Sequence, residues 1–263
     1  MTIPYNSTKY ANILDMKEEF SLIRKNGESL YIYKKNNKII FKNIDFQIIC
    51  NTLYLCLYRD FPKLEVLFNY FKNIAKISNK LGISIPWNLP TGLNVQQKFY
   101  GTKKIKFKPF IYSKDLLILN IVDKNTLNPR KQIRSLMPNL VHYLDAASLS
   151  LLIHNFFKED KNNNFYSIHD CFAVICNKVN LIYELLKLSY YNIYINKSFL
   201  LTFDNNFKES ILTQFGENSY SAKTNQITLI NEEGEKLILA YPNINEVFKP
   251  ENLNFMNSSY FIG

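Results

Sequence analysis

No zinc-type cysteine spacing occurs in this sequence of 263 residues. Its four cysteines, Cys50, Cys56, Cys171 and Cys176, match none of the patterns that gather thiolates around a tetrahedral metal. They are expected to be reduced, buried thiols of an intracellular protein. Long apolar runs are missing too: none approaches the roughly 18 residues of a membrane span, so no membrane partner is expected. The opening "MTIPYNSTKY" has no basic stretch followed by an apolar one, and no secretory signal is expected. No internal repeat and no long linker marks a domain boundary. Acidic residues are the minority, 22 against 32 Lys and Arg, for a net charge of +10. That balance suits a polyanionic partner such as nucleic acid. A bias toward Asn, Lys and Ile codons produces the same charge, so charge alone leaves both explanations open.

What is present points to a folded chain. Hydrophobic residues make up 47% and aromatics 15%, which excludes disorder. The length suffices for one large domain or two small ones. Apolar positions at Tyr10, Ile13, Leu14, Phe20 and Ile23 predict an amphipathic helix from Ser7 to Lys25, with Gly27 as its stop. Leu30–Phe41 reads as two short strands around a polar turn. Ile44–Leu81 reads as helix, interrupted at Pro62 and closed by Gly82. Leu116–Val122 is a predicted strand, Pro138–Lys158 and Val179–Tyr191 are predicted helices, and Gln226–Tyr241 is a predicted hairpin turning at Gly234.

Two stretches carry chemistry. "IPWNLPTGLNVQQKFYGTKKIKFKPF" (Ile85 to Phe110) is extended and turn-rich. It interleaves Lys98, Lys103, Lys104, Lys106 and Lys108 with Phe99, Tyr100 and Phe107. Such a pattern suits a groove that tracks a nucleic-acid backbone and stacks its bases. It equally suits a sheet edge guarded by lysines. "FYSIHDCFAVI" (Phe165 to Ile175) reads as a hairpin with His169 and Asp170 where the strands turn. A carboxylate there is either ordinary turn chemistry or a ligand for a divalent ion such as Mg²⁺.

"IHDCF" resembles the third catalytic motif of single-subunit, phage-type DNA-directed RNA polymerases, the mitochondrial members above all. Three further segments resemble that family in the same order: "MTIPYNSTKY" (Met1 to Tyr10), the end of the fingers helix; "WNLPTGLNVQQ" (Trp87 to Gln97); and "RKQIRSLMPNLVHYLDAASL" (Arg130 to Leu149), the stretch before the third motif. The final "SSYFIG" is similar to the family's short aromatic terminus. Pro4 and Asn6 resemble variants carried on linear mitochondrial plasmids. Asn6 stands where the family usually has Gly.

The resemblance implies an α+β fold, the C-terminal portion of a right-hand polymerase: residues 1–82 a helical segment from the fingers with a small hairpin, 83–200 a palm segment bearing the His-Asp hairpin, and 201–263 a peripheral segment. It implies DNA-directed RNA synthesis from ribonucleoside triphosphates by a mitochondrial enzyme. Asp170 would hold Mg²⁺, His169 would position the primer end, and Tyr5 would help select ribose. Neither an Asp-x-x-x-Ser-Gly motif nor an Arg-x-x-x-Lys motif precedes the Met-Thr match, so the first metal carboxylate and the grip on the triphosphate are expected from an N-terminal part of the same polymerase. The DNA template and RNA product are the other expected partners. A non-catalytic nucleic-acid-binding remnant is the alternative.

Overall fold

The computed structural model describes residues 7–25, 27–108, 117–159, 161–162, 164–168, 171–196, 198–230 and 235–248. Helix and sheet mix along the chain, an α+β composition. The chain divides into two compact units, Met1–Asn69 and Tyr70–Gly263, and the division falls inside one helix.

In the first unit, Thr8 caps helix α1 (Lys9–Glu18), its hydroxyl accepting from the Ala11 N–H at 3.2 Å. The predicted helix ran on to Lys25; it stops at Glu18. Strand β1 (Phe20–Lys25) pairs instead, antiparallel and in unbroken register, with β2 (Glu28–Tyr33). Gly27 lies between the strands at φ +80°, where glycine bears no side-chain penalty. It therefore turns a hairpin and does not end a helix. Strand β3 (Ile40–Phe41) adds to β2, so the predicted strand pair around a polar turn is present. Phe46 of α2 (Asn43–Asp60) meets Phe20, Tyr31 and Phe41 edge-on, with ring centres 5.0–5.4 Å apart. The break expected at Pro62 is there: α3 (Pro62–Leu81) starts on it, where a missing N–H is harmless, and Gly82 follows at φ +69°.

The second unit is built around Trp87. Strands β4 (Ile85–Asn88) and β5 (Asn94–Gln97) form a hairpin; β6 (Tyr100–Phe107) and β7 (Leu117–Leu127) form a longer two-stranded ribbon. The Trp87 indole meets Tyr143 of α4 (Pro129–Glu159) and Phe203 of a later helix, at 5.8 and 6.3 Å between rings. Strands β8 (Phe165–Ile168) and β9 (Cys171–Val174) pair as predicted. Then come α5 (Val179–Tyr191), a π-turn at Asn192–Asn196, and α6 (Phe199–Phe215). Strands β10 (Tyr220–Ser221), β11 (Gln226–Ile230) and β12 (Lys236–Ala240) make a small antiparallel sheet before the short helix α7 (Ile244–Val247). Gly234, the predicted turn of β11 and β12, lies outside the described residues.

Several expectations need correction. Helix α4 begins at Pro129, well before Pro138. Asn128 caps it by accepting from the Lys131 N–H at 3.1 Å, and Pro129 takes the first helical position. Pro138 sits inside the helix, where it lacks the N–H that the Arg134 carbonyl would otherwise accept from. By length and composition α4 could cross a membrane; in this unit Leu136, Leu140, Leu152 and Phe156 along it are buried. Strand β7 runs five residues beyond the predicted Val122. The thiols are not uniformly buried: Cys50 is, Cys56 is half-buried, Cys171 is exposed on the outward face of β9, and Cys176 is exposed in the 3-10 turn after it.

A buried carboxylate closes this unit. Asp204 on α6 accepts from the Tyr70 hydroxyl at 2.6 Å and the Tyr241 hydroxyl at 2.9 Å, and pairs with Lys208 at 2.6 Å. Both carboxylate oxygens are engaged, Oδ1 by the two hydroxyls and Oδ2 by the ammonium, which offsets the cost of burying the charge. The cluster ties α3 and the segment after β12 to α6.

Candidate functional site

Two of the segments singled out in the sequence contact opposite ends of α4. At its C-terminal end, Phe156 is fully buried and meets Phe165 of β8, which stacks on Phe172 of β9, each at 5.9 Å. Directly opposed residues share a sheet face. Phe165, Ser167, Phe172 and Val174 therefore form the anchored face, and Tyr166, Ile168, Cys171 and Ala173 the outward one. Alternation of half-buried and exposed positions follows this division. Ile168 pairs with Cys171, and His169 and Asp170 are the two residues between them. Their own placement lies outside the described residues, as does that of Tyr5.

The N-terminal end of α4 holds the root of the ribbon. Phe99 donates its N–H to Gln132 Oε1 at 3.4 Å, and its carbonyl accepts from the Asn128 N–H at 2.8 Å. Lys131 covers the Phe99 ring at 4.5 Å, and Lys98 lies 5.6 Å from the Tyr100 ring. The faces of those two rings are thus partly taken. Phe107, half its surface open, is the aromatic left available for stacking.

From Thr102 outward both ribbon faces are exposed. By register, Ile105, Phe107, Leu119 and Ile121 share one face with Lys103, while Lys104 and Lys106 share the other with Thr102, Asn120, Ile118 and Val122. Lys103 is tied to Asp123 at 2.9 Å; its hydrogen bond holds the Asp123 carboxyl below the usual range. The lysine-aromatic segment is therefore an exposed strand of a two-stranded arm, which fits both a surface for nucleic acid and a strand edge guarded by lysines.

Buried amides brace the root, and sequence reading missed them. Gln97 donates through Nε2 to the carbonyl and Oε1 of Gln132, at 3.1 and 3.2 Å, and accepts from Asn139 Nδ2 at 2.9 Å. Gln97 and Gln132 are buried. Both lie inside the matched motifs, but nothing in their spacing says that they meet.

A family model described as DNA-dependent RNA polymerase matches residues 1–245. The chain belongs to that family. This is the single-subunit family its motifs resemble. A Podospora anserina protein named a probable DNA-directed RNA polymerase is 38% identical over 229 residues, covering 87% of this chain and 24% of that protein. Proteins of the same name from Neurospora crassa and Agaricus bitorquis are 29% and 26% identical, covering 85% and 100% of this chain and 26% and 27% of themselves. The chain thus spans about a quarter of the length of these polymerase relatives.

Among the described residues, no group of three or more His, Cys, Asp or Glu could hold a metal ion. Asp170, expected from the family motif to hold Mg²⁺, lies outside those residues; a carboxylate has the hard-oxygen chemistry that Mg²⁺ takes, commonly one or two with water and phosphate oxygens.

Proposed function

We propose that this chain supplies part of the nucleotidyl-transfer centre of a DNA-directed RNA polymerase that copies a DNA template from ribonucleoside triphosphates. One observation carries the reading: the His169-Asp170 pair of the family motif falls between paired strands anchored by Phe165 on the end of α4. In this reading residues 1–82 belong to the fingers, 83–200 to the palm and 201–263 to the periphery of a right-hand polymerase. Asp170 holds Mg²⁺, His169 orients the primer end, and Tyr5 reads the sugar. Mg²⁺ would supply charge neutralisation on the triphosphate and activation of the attacking hydroxyl.

One matched carboxylate and no cationic grip make an incomplete two-metal site. The missing groups come, in this proposal, from polymerase sequence that this chain does not contain. Lys104, Lys106 and the exposed Phe107 suit contact with the nucleic acid. Resemblance to mitochondrial and plasmid-borne members supports a mitochondrial setting.

The test is primer extension by a polymerase reconstituted with the missing motifs. Asp170→Asn keeps the side chain's shape and removes its charge. Extension should fall by orders of magnitude while the melting temperature stays within a few degrees. Near-normal extension by that variant overturns the assignment.

A further inference from the structure

We propose that Gln97, Gln132 and Asn139 form a positioning device that aims the lysine row of the β6–β7 ribbon at nucleic-acid phosphates. The inference rests on the nucleic-acid reading above and adds a role for residues that touch no substrate.

The physical case begins with the ribbon. Its two strands pair with each other, and from Thr102 outward neither face is covered. A two-stranded arm exposed on both sides has no stability of its own to fix its direction. Direction must come from the root. There the Phe99 N–H, the Phe99 carbonyl and the Gln97 amide all engage the first turns of α4. The Gln97 side chain is the hinge pin: through one amide it grips Gln132 twice and is itself held by Asn139, two turns further along the helix. Amides can also rotate their contacts only at high cost here, because Gln97 and Gln132 are buried and lost bonds cannot be replaced by water.

Lys104 and Lys106 lie on one face a few residues beyond this root. Two cations reach phosphates together only if the arm that carries them is held still. Ordering a loosened arm costs more than its two phosphate contacts return, so those contacts are not made in the bound state. Gln97 thus acts through the ribbon, as a positioning residue.

The test uses the whole chain and a labelled mixed-sequence DNA duplex, titrated across a series of salt concentrations. Each phosphate neutralised contributes about −0.9 to the slope of log affinity against log salt. Replacing Lys104 and Lys106 together by Ala should flatten the slope by about two phosphates. Gln97→Met keeps every cation, yet should flatten the slope similarly and weaken binding by roughly tenfold. Adding Gln97→Met to the lysine pair should cost nothing more, since both remove the same contacts. Asn139→Ala, at a half-buried position, cuts the same network if Gln97→Met does not fold. A wild-type slope in whichever of these folds overturns the inference, as does an effect that adds to that of the lysines. Absence of any change in the lysine pair also overturns it, while leaving the Asp170 assignment standing, because that is read by extension.

Discussion

Asp204 shows how much one buried side chain can organise. Its two tyrosine partners lie 134 and 37 residues away in sequence, and its lysine partner one helical turn away. Asp204→Ala leaves an ammonium and two hydroxyls without their acceptor, and should cost about 3–5 kcal/mol in urea unfolding. A milder outcome, near that of a surface substitution, would mean that water fills the gap. The same cluster sets an alkaline limit. Burial above all pushes the Tyr70 and Tyr241 hydroxyls above their ordinary value of 10.0. Above that pH the unfolded tyrosines lose protons while the folded ones keep theirs. The folded state then binds more protons, so stability falls as pH rises. The urea midpoint should hold through neutral pH and decline above about pH 10. Combining Tyr70→Phe with Tyr241→Phe should lower the plateau and flatten that decline.

At the scale of elements, the ribbon depends on one glycine. The register slips between Tyr100 and Gly101, where β7 carries extra residues. A Cβ on Gly101 would collide with the Thr126 hydroxyl. Gly101→Ala should therefore destabilise the root by about 1–3 kcal/mol. Adding Thr126→Ala removes the colliding oxygen and should recover most of the loss. Amide exchange along β6 would register both changes; no acceleration in Gly101→Ala would show that Thr126 rotates freely aside. Element-level signals in the sequence were uneven. Helix α5 was legible from its apolar spacing, and the pairing of β8 with β9 from alternation around a polar pair. The β1–β2 hairpin also had a signal, the Asn26-Gly27 dipeptide typical of two-residue turns. Helical spacing of the residues around it suggested a helix instead. Helix α6 had a signal as well, in the i, i+4 row of Phe199, Phe203, Phe207 and Ile211, all buried.

For the whole molecule, the two units differ in their means of support. Among the described residues of the first, Phe46, Cys50 and Tyr54 are the buried apolar side chains, all on α2. The second buries Trp87, Phe156, Phe203, Phe207 and the aliphatic row of α4. Local opening is easiest where few apolar contacts resist it. Amides of α1 and α2 should exchange well before those of α4 and α6; equal protection would mean that the units open as one. A charge of +10 should give the chain salt-sensitive affinity for DNA. The chain alone, on a primed template with Mg²⁺ and ribonucleotides, should make no RNA, since it carries one matched carboxylate. Template-dependent extension by the chain alone would show that the missing groups are present after all.

Sequence by itself determined what depends on residue order: the polymerase family, through collinear motifs; the excess of cations; and the elements whose apolar spacing or turn residues are local. Only the tertiary structure decided what depends on encounters between distant residues. It made Trp87 a core anchor, turned a lysine-rich stretch into a two-faced arm, and brought Gln97 to Gln132 and Tyr70 to Asp204. The physical reason is one of range. Backbone preferences and side-chain periodicity act over a few residues and are written in the chain's order. A buried amide or carboxylate finds its partner only after the chain has folded back on itself, and leaves no local trace of which partner that is.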